Sequence, residues 1–168
     1  MTIRLAKAGD ARAIAEVHVA SSRAAYRDLV PAQTLLMKRT ISQREQIWQK
    51  ILSEHETATL VLEERGRLIG FVNVGATRDP DKEAAVTAEI NSIYLAPEHW
   101  GQGHGQRLCQ SALAHLRRAG FREATLWVLA ENQRARRFYE KLGFRFEGTM
   151  KTREKDGLRI VRYVLELG

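Results

Sequence analysis

The run Tyr94-Leu95-Ala96-Pro97-Glu98-His99-Trp100-Gly101-Gln102-Gly103-His104-Gly105-Gln106-Arg107-Leu108 constrains this chain more than any other feature. Three alternating glycines lie between an apolar stretch that reads as a strand and a segment with Leu108, Ala112 and Leu116 at helical spacing. A strand that turns through glycines into a helix brings unpaired N–H groups and about half a positive charge to one point, which suits a phosphate. Glycine removes Cβ and lets the backbone approach it. Two phosphate-binding designs are excluded by spacing: no third glycine falls at the G-x-G-x-x-G position, and no Lys-Ser/Thr pair follows as in a P-loop. A pyrophosphate site of another kind remains, with a glycine hinge in a flexible loop as the other reading.

Residues 2–6 read as a strand, and Asp10 as the cap of a helix with Ile14, Val17, Ala20 and Ala24 on one side, ending near Val30. Pro31 restarts helical character through Leu35 and Leu36, and Ser42 begins an amphipathic segment carrying Ile47, Ile51 and Leu52. From Thr57 the period becomes that of strands. Residues 58–63 and 68–74 form a hairpin about Arg65-Gly66-Arg67, and residues 85–95 a third strand after the Asp79-Pro80-Asp81 loop. Beyond the glycines come a strand at 123–129, a helix at 132–142, and a hairpin of 144–150 with 158–167 around Lys155-Asp156-Gly157. This is a mixed α/β order. No linker, repeat or low-complexity segment divides the 168 residues, so one domain over 1–168 is expected.

An apolar content of 44% supplies a core, but no run approaches the roughly 18 apolar residues of a spanning helix, and MTIRLAKAGD lacks a signal peptide's apolar stretch. A cytoplasmic protein without membrane partners is expected. Cys109 is the only cysteine, which excludes an internal disulfide and a multi-cysteine zinc site. The five histidines contain no HExxH pair, so no protein-bound metal is expected. Lys plus Arg exceed Asp plus Glu by 27 to 20, and the net charge of +7 favours an anionic ligand. Basic and acidic residues mix throughout, without a dense basic run interleaved with aromatics, so a phosphorylated small molecule fits better than nucleic acid.

Ile93-Tyr94-Leu95-x-Pro followed by Gly101-x-Gly103-x-Gly105 resembles the coenzyme A pyrophosphate motif of the Gcn5-related N-acetyltransferases, the GNAT family. Downstream, Leu126-Trp127-Val128 and then Asn132-x-x-Ala135-x-x-Phe138-Tyr139-Glu140-Lys141-Leu142-Gly143-Phe144 resembles that family's second signature. The element order is similar over nearly the whole chain, while the motifs occupy residues 89–144. The resemblance implies the GNAT acyl-CoA N-acyltransferase fold: an α/β fold with a central, mostly antiparallel sheet, helices on both faces, and a splayed strand pair that receives the cofactor. It implies acetyl-CoA as cosubstrate, and a homodimer.

In that scheme the segment Ile93, Tyr94 and Leu95 binds the pantetheine arm, which pairs with the backbone of Ile93 and Leu95 like an extra strand. Three successive apolar residues there break strand alternation, as a bulge or two-sided burial would. Gly101, Gln102, Gly103, His104, Gly105 and Gln106 cradle the pyrophosphate through their backbone, and Asn132, also a good N-cap, adds a contact. Trp100 stands where the family often has Arg or Gln, so a side-chain phosphate contact is lost at that position. Arg107, Arg134, Arg136 and Arg137 are candidates for the phosphates, Arg107 being nearest the glycines.

Acetyl transfer to an amine needs a neutral nucleophile, and an amine of pKa about 10.4 is free in about one molecule per thousand at pH 7. Glu89, at the position that matches the base of the family's histone-acetylating branch, is the candidate base. Four residues at about 3.3 Å each put it roughly 13 Å from Ile93, so it would act through water. A carboxylate paired with a nearby arginine is the alternative. Tyr139 matches the tyrosine that protonates the departing thiolate; a phenol near 10 and a thiol near 8.5 make full transfer uphill by roughly 2 kcal/mol, which favours hydrogen-bond stabilisation. Tyr139 also shares an apolar helix side with Ala135, Phe138 and Leu142, a core position. Cys109 falls near the buried side with Ala112 and Leu113 and is not the nucleophile. Tyr26 and Trp48 either line an acceptor pocket or fill the core. The expected function is acetyl transfer from acetyl-CoA to a primary amine of a small molecule by direct attack in a ternary complex. Protein N-terminal or lysine acetylation and a non-catalytic acyl-CoA sensor are the alternatives.

Overall fold

The computed structural model describes residues 1–31 and 39–168. The helical character expected at Leu35 and Leu36 lies outside the described residues. The strands are β1 (Thr2–Leu5), β2 (Ala58–Glu64), β3 (Arg67–Ala76), β4 (Thr87–Leu95), β5 (Glu123–Leu129), β6 (Arg145–Thr152) and β7 (Arg159–Glu166). Four helices are described: α1 (Ala11–Tyr26), α2 (Ile41–Glu54), α3 (His104–Arg118) and α4 (Gln133–Lys141). The strands form one open sheet in the order β1-β2-β3-β4-β5-β7-β6. Its β4–β5 pair is parallel, and β1–β2, β2–β3, β5–β7 and β6–β7 are antiparallel, so the mixed α/β, mostly antiparallel fold is the expected one. The chain divides into two compact units, Met1–Gly75 with Ser92–Ala112, and Ala76–Asn91 with Leu113–Gly168.

In the first unit, Arg65 and Gly66 take positive φ (50° and 76°) and close the β2–β3 hairpin in two residues, as the turn sequence requires. α2 begins at Ile41 rather than Ser42, because Thr40 is the cap: its hydroxyl accepts from the Gln43 N–H (3.2 Å) and the Gln43 side chain accepts from the Thr40 N–H (2.9 Å). Asp10 does not cap α1 with its side chain. Its carboxylate accepts instead from the Lys7 N–H (2.7 Å) and both Arg4 amino groups (2.8 and 3.0 Å). α1 stops at Tyr26, short of Val30, since Pro31 bars Val30 from the helical region and the Leu29 and Val30 N–H groups close a turn on the Tyr26 carbonyl. Ala11, Ile14, Ala15 and Val17 of α1 meet Trp48, Val61, Leu68 and Phe71 in the core.

In the second unit, β4 starts at Thr87, two residues later than expected, because the Val86 and Thr87 N–H groups both bond the Glu83 carbonyl and close a turn. α4 is held at both ends. The Asn132 side chain accepts from the Ala135 N–H (3.1 Å). Gly143 (φ 100°) donates to the Glu140 carbonyl and Phe144 to that of Tyr139, the Schellman pattern. Leu126, Val161 and Tyr163 are fully buried.

Candidate functional site

The glycine turn lies in the first unit. Gly101 and Gly103 hold φ of 75° and 83°, and a Cβ at either would meet nothing within 4 Å. These glycines are required by backbone conformation rather than by crowding. Both are exposed, and the first turn of α3 that follows carries no acidic residue. His104, at the start of α3, buries its Nδ1 without a hydrogen-bond partner among the described residues. A helix start with outward N–H groups, no carboxylate and an unmatched imidazole nitrogen fits an anion. Of the other predicted contacts here, Gly105 and Gln106 fall in the same first turn of α3, while the Gln102 side chain turns back to the Glu98 carbonyl (3.3 Å). The exposed Arg107 guanidinium lies 3.2 Å from the Met1 sulfur.

Ile93, Tyr94 and Leu95 precede this turn on β4. The parallel ladder with β5 pairs residues 87–90 of β4 with residues 123–126, and among the described residues it does not extend to Leu95. Burial changes at the same point: residues 87–90 are buried, residues 91–95 half-buried. The Ala96 N–H donates to the Ile69 carbonyl (2.8 Å), so Leu95 turns its peptide groups to the other edge. There the Leu95 carbonyl accepts from the Trp100 indole N–H (2.7 Å) and from the Ser21 hydroxyl (2.7 Å), whose single proton is shared with the Val17 carbonyl. The indole at position 100 thus ties the glycine turn to its own strand. Across from Leu95, a Cβ on Gly70 would stand 2.7 Å from Leu95 Cδ1 and 3.2 Å from the Tyr94 carbonyl, so any other residue here would require the Leu95 side chain to shift.

Trp48 is core, its indole N–H donating to His18 Nδ1 (3.1 Å). That bond leaves the proton of neutral His18 on Nε2. The Tyr26 hydroxyl lies 3.3 Å from that of Tyr94, whose ring stacks on His18 with centroids 4.8 Å apart. Cys109 is fully buried, and burial pushes its thiol up to about 12, which fits its exclusion as a nucleophile.

The second unit carries Glu89, Asn132 and Tyr139. Glu89 is buried on an interior strand, its carboxylate accepting from the Arg78 N–H (3.3 Å) and facing the Arg78 guanidinium (3.4 Å). The same guanidinium reaches Asn91 Oδ1 (3.2 Å). Tyr139 is half-buried between Phe138 and Phe144, with centroids 5.2 and 5.9 Å away. Arg136 is drawn off from the candidate phosphate ligands: it donates to the Ala130 carbonyl (2.7 Å) and the Tyr163 hydroxyl (2.9 Å). Among the described residues no group of three or more His, Cys, Asp or Glu side chains is arranged to hold a metal ion, and no helix is long and apolar enough to cross a membrane.

The model of the acetyltransferase (GNAT) family matches residues 10–144. The chain belongs to this family. Among relatives in the GNAT family, the uncharacterized N-acetyltransferase YhfO of Bacillus subtilis is 31% identical over 147 residues, 86% of this chain and 89% of that one. A Methanocaldococcus jannaschii N-acetyltransferase is 33% identical over 94 residues, 56% of this chain and 42% of that longer relative, so less than half of that protein is spanned. The solved structure of yncA from Salmonella typhimurium, with its cofactor acetyl-CoA, superposes with a TM-score of 0.76 at 25% identity, covering 100% of this chain and 94% of that one. An N-acetyltransferase from Staphylococcus aureus gives 0.76 at 25% identity, covering 99% and 98%.

Several residues around these sites are absent from the sequence motifs. Ser21, Gly70 and Arg78 come from α1, β3 and the loop before β4, far from the glycines in the chain. Of these only Gly70 carries a sequence signal, a glycine inside a strand pattern, which the motifs above do not include.

Proposed function

We propose that this GNAT protein transfers the acetyl group of acetyl-CoA to a primary amine of a small molecule, by direct attack in a ternary complex. The observation that carries the reading is the exposed turn of positive-φ glycines that opens α3, beside the unmatched His104 nitrogen. Gly101 to Gln106 hold the pyrophosphate through backbone N–H groups, and His104 adds a donor. The arm of the cofactor lies along Ile93 and Leu95; because the Leu95 carbonyl is already engaged by Trp100, Leu95 contributes its N–H. Coenzyme A supplies the acetyl group as a thioester. The attacking amine forms the C–N bond as the C–S bond breaks, and the proton it loses passes through water to Glu89. Arg78 positions that carboxylate. The Tyr139 hydroxyl donates to the sulfur as it leaves.

Calorimetric titration with acetyl-CoA and a thiol-release assay over a panel of amines and peptides test the reading. Saturable binding with amine-dependent release is expected. Tyr139→Phe should lower kcat about a hundredfold with acetyl-CoA affinity within twofold. Release from protein N-termini or lysines alone would move the acceptor class, and no binding of acetyl-CoA would sink the proposal.

A further inference from the structure

The first unit contains a small, open recess lined by His18, Val19, Ser22, Arg23, Arg39 and Arg44, with no carboxylate among its described lining residues. Two other arginines removed from solvent are answered by acids. Arg4 meets Asp10 (2.8 Å) and Glu63 (2.6 Å), and Arg162 is ringed by Asp79, Asp81 and Glu147. Among the described residues, Arg23, Arg39 and Arg44 form no ion pair. Arg44 is half-buried, and its guanidinium is pushed below its ordinary range by burial first and then by the charge of Arg39. Arg39 is exposed, but two cations turned toward one recess repel, and a half-buried cation without a partner costs free energy. A fold holds such an arrangement where a ligand supplies the opposite charge.

Position says which ligand. The pyrophosphate cradle is the glycine turn, built from other residues of the same unit. His18 of the recess wall stacks on Tyr94, between Ile93 and Leu95, so the recess is one ring away from the strand assigned to the thioester arm. Resting on the transferase reading above, we infer that the Arg39–Arg44 recess is the specificity pocket for an anionic group of the acceptor: the substrate is an amine that carries a carboxylate or a phosphate. Guanidinium forks match either anion in two parallel hydrogen bonds, whereas an uncharged or polycationic amine leaves both arginines unanswered.

The test is calorimetric titration of the whole chain, with and without coenzyme A, using N-acetylglycine, its neutral amide N-acetylglycinamide, and aminoethyl phosphate. At least one anionic probe should saturate, with the neutral amide at least tenfold weaker. N-acetylglycine ahead identifies a carboxylate pocket, aminoethyl phosphate ahead a phosphate pocket. Arg44→Gln should weaken the anionic probe at least tenfold while acetyl-CoA affinity stays within twofold, and Arg44→Lys should fall between. Equal binding of the amide, no saturation by either anion, or an Arg44→Gln variant that binds the anion like the parent overturns the inference. So does an equal loss of acetyl-CoA affinity, which would make the recess part of the cofactor site. The transferase reading fails separately, if acetyl-CoA does not bind the unaltered chain.

Discussion

The Arg39–Arg44 recess of the first unit and the Arg162 cluster of the second treat their polar groups in opposite ways. In the second, Arg162 is 2% exposed, and every edge of its guanidinium is used: Nε to Glu147, Nη1 to Asp79 (3.0 Å) and Asp81 (2.8 Å), Nη2 to Asp81 (2.6 Å). The Trp127 indole N–H closes on Asp79 (3.0 Å), and Lys82 joins Glu123 (2.9 Å) to Glu147 (3.3 Å). In the first, among the described residues, Arg39 and Arg44 face a recess without an acid, and His104 Nδ1 is buried without a partner. Charge that is matched holds a fold. Polar groups that the described residues do not answer are where the anions proposed above would bind.

The contrast breaks most visibly at Arg162. Arg162→Leu leaves Asp79, Asp81 and Glu147 facing one another without their shared cation, and loss of one partner from a buried ionic cluster costs about 3–5 kcal/mol. Urea unfolding should register that loss. A variant as stable as the parent would mean that this cluster is ornamental and that matching of charge does not distinguish it from the recess.

Second in size is an effect on binding without one on the second unit. Gly103→Val forces a branched side chain to φ 83°, at a cost of about 1–3 kcal/mol in the turn. Acetyl-CoA affinity should fall at least tenfold. Gly148→Val, at φ 96° and with equal open space, imposes similar strain on β6 and should leave that affinity within twofold. Equal losses in both would show that global strain, rather than the cradle, controls binding.

Acid probes the matched cluster more gently. Hydrogen bonding from Arg162 lowers the Asp81 carboxyl from 3.8 to about 2. A carboxyl depressed in the folded state adds stability above its unfolded value, and that stability drains away as pH falls from about 4 through 2. The advantage of the parent over Asp81→Asn in urea midpoint should therefore be constant above pH 5 and vanish by about pH 2. A difference independent of pH would remove the ionic account of the cluster.

Much of this was legible along the chain. Strand and helix periods placed the seven strands and four helices within a few residues. The boundaries that moved did so through short-range bonds that periodicity does not carry: Asp10 accepts from Arg4 and the Lys7 N–H, Val30 stands before Pro31 in a turn on Tyr26, and Glu83 closes a turn ahead of β4. The glycine turn and the Asn132 to Phe144 segment could be read because their function, or their capping, is local. Arg78 against Glu89, Ser21 against Leu95, and Arg39 with Arg44 around His18 could not, since each joins segments that only folding brings together. Trp100 read as a lost phosphate contact, and its gain, the bond to Leu95, has no signature in spacing.

The smallest expected effect is the most discriminating. Arg44 pays for its burial with no ion pair in return, so Arg44→Leu removes desolvation and the repulsion from Arg39 while keeping an apolar stem against the same neighbours. Its unfolding free energy should stay within about 0.5 kcal/mol of the parent or rise, against the large loss for Arg162→Leu in the same assay. A protein optimised only for stability would not keep such a residue; one that binds an anion there would. Should Arg44→Leu instead lose 2 kcal/mol or more, the guanidinium has an acceptor within the fold, and the recess does not differ from the Arg162 cluster in the way its arginines indicate.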